Sequence, residues 1–157
     1  MPKPIWTIRD PRRLFVGLSF AVAGLMLFYT LINLPYIPMP YSWSVIVYCR
    51  YAELLVTPVV SLLLCILWKF FISRNRVLIG CKPASDPIAL DRQKILSKDC
   101  RITAMSLITL ALAFIQLDML NKAKGIPGFG LFIPLLCFVV WLFTSIRFRS
   151  MIRRNSK

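Results

Sequence analysis

Histidine does not occur in this sequence, and carboxylates are scarce: Asp10, Glu53, Asp86, Asp91, Asp99 and Asp118 are the six acidic residues among 157. The missing imidazole removes the commonest general base and the commonest metal ligand, and with them any Ser/His/Asp or Cys/His catalytic arrangement. A Gly-rich phosphate loop is lacking too, since Gly125, Gly128 and Gly130 fall in a turn between apolar segments and do not follow a strand. The five cysteines, Cys49, Cys65, Cys81, Cys100 and Cys137, are odd in number, widely spaced and without a CxxC pair. That spacing argues against a disulfide framework and against a zinc cluster. Together these absences lead to the expectation of a protein that is not an enzyme and holds neither metal nor cofactor.

What is abundant is apolar and basic. Hydrophobic residues make up 58% of the chain, above the roughly 45–50% of soluble domains. Twenty Lys and Arg oppose the six acids, for a formal net charge of +14. Such an excess suits nucleic acid, anionic lipid or membrane topology, and the positions of the charges decide. They gather before Leu14, between Lys69 and Arg101, and after Ile146, and they nearly vanish from the blocks between. These short segments supply no folded basic module, so membrane lipids and not nucleic acid are the expected partners.

The charge-poor blocks read as membrane spans, because about 20 helical residues cross a hydrocarbon core of roughly 30 Å. The expectation is one all-α membrane domain over residues 1–157, with four transmembrane helices at about 14–34, 52–72, 102–120 and 129–146. The first block is too long for a signal-peptide core and has no A-x-A-like site after it, so it is expected to be retained. The second helix starts at Val45 or Ala52, and Pro58 is expected to bend it. Residues 73–101 form a basic loop in which Asp86 and Pro87 can open a short amphipathic helix, with Ile88, Leu90, Ile95 and Leu96 on its apolar face. NKAKGIPG is a tight turn between the last two spans.

Positive charge orients the domain. Lys3, Arg9, Arg12 and Arg13 precede the first span, the 73–101 loop is strongly basic, and Arg147, Arg149, Arg153, Arg154 and Lys157 follow the last span. The alternate connections hold only Arg50, or Lys122 and Lys124. Both termini and the 73–101 loop are therefore expected to be cytoplasmic, in a multi-pass protein of a bacterial cell inner membrane.

Ionisable residues at membrane depth are the default functional candidates. Glu53 follows Arg50 by three residues and Lys122 follows Asp118 by four, both helical spacings for ion pairs. Either these pairs neutralise one another at the outer interface, or Arg50, Glu53 and Asp118 present polar contacts to the membrane-embedded part of another protein. Gly17, Ala21 and Gly24 form a small-residue stripe, expected to serve packing among the chain's own spans.

The four-span plan, the Tyr48, Cys49, Arg50 and Ala52 stretch, the basic loop and the short basic tail resemble the immunity proteins of pore-forming colicins. The resemblance implies recognition inside the inner membrane, where the spans bind a toxin's inserting hydrophobic hairpin before its pore opens. The partner is then another integral or membrane-inserting protein. Plasmid entry-exclusion proteins work by similar recognition. The RDPRRLF and LLLCILWKFF segments also look like parts of two-span accessory subunits of polysaccharide synthases, which leaves a synthase or secretion subunit as an alternative. A small transporter is a further one, with no mid-membrane carboxylate in its favour. The topology is testable by an impermeant maleimide on right-side-out spheroplasts. Cys81 and Cys100 are expected to stay unlabelled until the membrane is opened, and labelling from outside would invert the orientation.

Overall fold

The computed structural model describes residues 11–37, 45–73, 77–78, 81–128 and 130–154, with residues 11 and 45–53 described in backbone alone. The described residues form four α-helices: α1 (Pro11–Asn33), α2 (Val45–Ser73), α3 (Pro87–Ala123) and α4 (Phe132–Arg154). A single 3-10 turn, Leu34–Tyr36, follows α1. All four helices are long and apolar enough to cross a membrane, the make-up of a multi-pass membrane protein. Of the two starts open for the second helix, Val45 is the one adopted.

The largest departure from expectation is α3. A separate amphipathic helix and a third span were expected; instead one unbroken helix of 37 residues carries both. Its start is as expected, with Pro87 first and the Asp86 carboxylate accepting from Ala89 N–H at 3.1 Å. From there to Gly125 the chain has no glycine and no further proline. Lys and Arg are good helix formers, so the basic residues taken as a boundary do not interrupt the helix. At 1.5 Å per residue α3 is about 55 Å long, well beyond a hydrocarbon core of roughly 30 Å. Likewise α4 runs on to Arg154, so most of the basic segment after Ile146 is helical.

The far end of α3 closes in a Schellman motif. Gly125 adopts φ +75°, Ile126 N–H bonds Asn121 O at 2.9 Å, and Gly125 N–H bonds Lys122 O at 3.1 Å. The left-handed residue turns the chain back while satisfying two terminal carbonyls. This is the NKAKGIPG turn read from the sequence.

The helices alternate in direction, and α3 is the hub that packs against α1, α2 and α4; α1 also packs against α2. The contacts Arg12–Asp99 and Ser19–Ser106 share a sequence offset of 87 residues, so α1 and α3 run parallel in constant register. An apolar core of Ala23, Cys65, Ile72, Ile102 and Met105 fills the space between α1, α2 and α3. Among the described residues α4 packs chiefly on α3 and leaves most of its surface outside the bundle.

At the basic end the inward face of α3 is polar, and the apolar face expected to lie on the membrane or against a partner turns outward. Ile88 and Ile95 are 65% and 46% exposed, whereas Gln93 and Ser97 are fully buried. The reason is backbone that needs partners. Gln93 Oε1 accepts from Ala84 N–H at 3.0 Å, and Gln93 Nε2 donates to Ile152 O at 3.2 Å and Lys82 O at 3.5 Å. Ser97 Oγ accepts from Leu78 N–H at 3.2 Å and donates to Gln93 O at 2.7 Å. One amide thus ties the segment before α3 and the last turn of α4 to a single point. Gln93→Leu strands the buried carbonyl of Ile152, at about 1–3 kcal/mol when unpaired, and frees the part-buried Ala84 N–H and Lys82 O. Faster proteinase K cleavage between Leu78 and Asp86 and a lower melting temperature are expected; an unchanged cleavage rate would show that the segment is held by other means.

Candidate functional site

Three of the residues singled out in the sequence lie toward the end of the bundle opposite the basic one. Arg50 and Glu53 fall in the first turns of α2, where their side chains lie outside the described residues. Asp118 is 5% exposed on α3 and forms the expected i,i+4 pair with Lys122 at 2.6 Å. Its other oxygen accepts from Gly130 N–H at 2.8 Å, across the turn to α4. The turn lies so close that a Cβ on Gly128 would come within 2.0 Å of the carboxylate. Asp118 is therefore engaged inside the chain, as the clasp holding the α3–α4 connection. Lys124, on the same turn, donates to Asn33 Oδ1 at the end of α1, and Asn33 Nδ2 donates to Tyr29 O at 2.7 Å.

Between the two ends runs a seam of polar contacts joining α1, α2 and α3. At the basic end Arg12 and Asp99 form a fork-like pair, Nε to Oδ1 at 2.6 Å and a terminal nitrogen to Oδ2 at 3.3 Å. Next, Ser19 and Ser106 hydroxyls meet at 3.1 Å, and Cys65 Sγ lies 3.5 Å from Thr109 Oγ1. Each small donor also bonds a carbonyl four residues back on its own helix: Ser19 to Phe15, Ser106 to Ile102, Thr109 to Met105. Hydroxyls of this kind pack where helices approach closely and add modest interhelical attraction in lipid.

The seam's decisive member is Gln116, fully buried on α3. Pro58 has no N–H, so the carbonyl four residues earlier, on Leu54, loses its helical partner. Gln116 Nε2 donates to that carbonyl at 2.8 Å and to Thr30 Oγ1 at 3.0 Å, while Thr30 Oγ1 donates to Met26 O at 2.8 Å. One amide on α3 thereby fastens α1 and α2 together at the proline. Gln116 Oε1 and Ser61 Oγ are buried without a hydrogen-bond partner among the described residues. In the sequence Gln116 stands out only as a polar interruption of the third span. The usable signal was the combination of a proline inside one span and a lone amide inside another, a vacancy and a donor that each require the other in hydrocarbon.

The small-residue stripe turns out to face away from this seam. Gly17 and Ala21 are exposed, and a Cβ added at Gly17 or Gly24 would meet nothing within 4 Å. The expected packing of this stripe against the chain's own spans is thus not what occurs. The inward face of α1 is instead Ser19, Ala23, Met26 and Thr30, at helical spacings of four, three and four, because that face supplies the hydroxyls the seam uses.

Among the described residues no three His, Cys, Asp or Glu side chains come together in a way that could hold a metal ion. Comparison with protein-family models, with curated proteins and with solved structures finds no significant match for this chain.

The proline-amide pairing sets up a double-mutant test. Gln116→Leu is expected to destabilise the protein by about 1–3 kcal/mol, since Leu54 O is left bare. Pro58→Ala restores a helical N–H to that carbonyl and is expected to remove most of the penalty of Gln116→Leu. Equal penalties in both backgrounds would mean that Leu54 O is not what Gln116 serves.

Proposed function

We propose that this chain is a non-enzymatic protein of the bacterial inner membrane, with both termini and the 73–101 segment cytoplasmic, which acts by binding another membrane-inserting protein within the bilayer. The class that best suits it is immunity against a pore-forming toxin. The observation that carries this reading is the open face of α1. The buried polar side chains of the spans bond chiefly within the bundle, whereas Gly17, Ala21 and Gly24 line a shallow track against which no described residue packs. Tracks of this kind let a second helix approach closely, and close approach is the main source of helix association in lipid. A hairpin inserting beside α1 would find both backbone proximity and the apolar flanks Leu14, Leu18, Leu25 and Phe28.

In this reading Asp118 acts by holding the α3–α4 turn in place, and Arg50 and Glu53, on the first turns of α2, are the polar residues assigned to meeting an incoming chain. The neutral lining of the interior, Ser19, Cys65, Ser106, Thr109 and Gln116, favours recognition over proton or ion transport, which calls for ionisable groups along a path. The alternative of a polysaccharide synthase or secretion subunit has no comparable feature in its support.

The test is a sensitive bacterial host expressing the chain and challenged with a panel of pore-forming colicins. Survival at doses of at least one toxin that kill the control is expected. Gly17→Leu and Gly24→Leu, which fill the track without touching the interior, are expected to abolish that survival at unchanged expression. No survival against any member sinks the immunity reading, and survival unaffected by either leucine removes the α1 face from it.

A further inference from the structure

Where α2, α3 and α4 converge at the basic end, a pocket of about 400 Å³ opens to the outside, walled by Trp68, Leu78, Arg101, Trp141, Ser145 and Arg149. Trp141 is also a wall of a neighbouring apolar groove of about 270 Å³ between α3 and α4, with Ile108, Ala111, Leu112 and Phe138 along its walls. Volumes of this order are those of small-ligand sites. The groove exists because α4 leans on α3 alone while the rest of its surface turns outward.

Its chemistry changes along its length. At the mouth are two guanidinium groups, one from α3 and one from α4. Arg101 is held there by donating to Phe71 O at 2.8 Å, and Arg101 O in turn accepts from Trp68 Nε1 at 2.8 Å. Arg149 is exposed and makes no ion pair among the described residues. Among the described residues lining this mouth none is a carboxylate, and Asp99, the nearest acid in sequence, pairs with Arg12. Beyond the mouth every wall is apolar. From Arg101 to Leu112 the groove follows α3 for about 16 Å, roughly half of a hydrocarbon core of about 30 Å and so about one leaflet. A cationic mouth edged by tryptophans at the interface, opening onto an apolar track one leaflet deep, has the complement of a lipid with an anionic head.

We propose that this groove binds one anionic glycerophospholipid from the surrounding bilayer, its phosphate between Arg101 and Arg149 and one acyl chain along the α3–α4 seam. The inference does not depend on toxin recognition and extends the general basic-to-lipid attraction to a defined site. A zwitterionic lipid meets the same walls but brings a cation of its own to the mouth, so the site discriminates by headgroup charge.

Fluorescence quenching tests it on the full chain in bilayers. Trp6→Phe and Trp43→Phe leave Trp68 and Trp141, the two indoles that line the site. Phosphatidylglycerol with brominated chains is expected to quench at a lower mole fraction than brominated phosphatidylcholine, by about fivefold for each arginine engaged. Arg149→Gln is expected to lower the preference by about that factor and Arg149→Lys to keep it. Ala111→Phe, which fills the track with both arginines intact, is expected to abolish it. Equal quenching by the two lipids would reduce the groove to ordinary annular contact. A preference that survives both Arg149→Gln and Ala111→Phe would assign it to the general positive charge of the chain, and either result overturns the site.

Discussion

A carbonyl that loses its helical partner inside hydrocarbon has no water to turn to, and the fold is arranged around meeting that requirement on α2. Pro58 strips Leu54 O of its donor; Gln116 supplies another from α3, and Thr30 on α1 shares the same amide. Three helices are thereby fixed at one level. With the register of α1 against α3 set there and again at Arg12–Asp99, the small hydroxyls between fall opposite one another. The apolar cluster around Ala23, Cys65 and Met105 then packs between the three helices. The proline is best understood as one half of a joint, since removing its donor would leave the seam open at its centre.

The same logic operates at both ends with different chemistry. At the basic end Gln93 and Ser97 satisfy the backbone of residues 78–84 and the carbonyl of Ile152. At the other end Asp118 receives Gly130 N–H and Lys124 reaches Asn33. In each case a side chain on α3 or just beyond it closes a connection made by another part of the chain. The central helix therefore organises the loops as well as the spans, which is why α4, joined to it at both its ends, keeps its place with so little packing elsewhere.

The spans were legible in the sequence because runs such as Leu14–Leu34 leave no alternative solvent but lipid, and local chemistry was equally plain at Asp86–Pro87, Asp118–Lys122 and the Gly125 turn. Two features were not. Helical continuity through Lys94, Lys98 and Arg101 was hidden because charge marks a membrane boundary without breaking a helix, and the absence of Gly or Pro there was the better guide. The inward face of α1 was also hidden, since its small residues were expected to turn inward, and so was the polar inward face of the first half of α3. Long-range polar demand decided both: the Ser19 and Thr30 hydroxyls meet Ser106 and Gln116 on α3, and Gln93 serves a segment that precedes its helix. Such pairings link residues far apart in sequence, and periodicity within one helix carries no record of them.

The position of Gln116 has a consequence for biogenesis. The amide that satisfies Leu54 O lies on the third apolar helix, 62 residues downstream. As the chain emerges from a ribosome, α1 and α2 can enter the bilayer as a hairpin, but its carbonyl at the proline has no donor until α3 follows. The first two spans are thus committed to the membrane before they are finished as a structure, and an insertion machinery or a lipid headgroup must tolerate the open carbonyl for the time it takes to synthesise those residues. Three helices are the smallest set in which that carbonyl is satisfied.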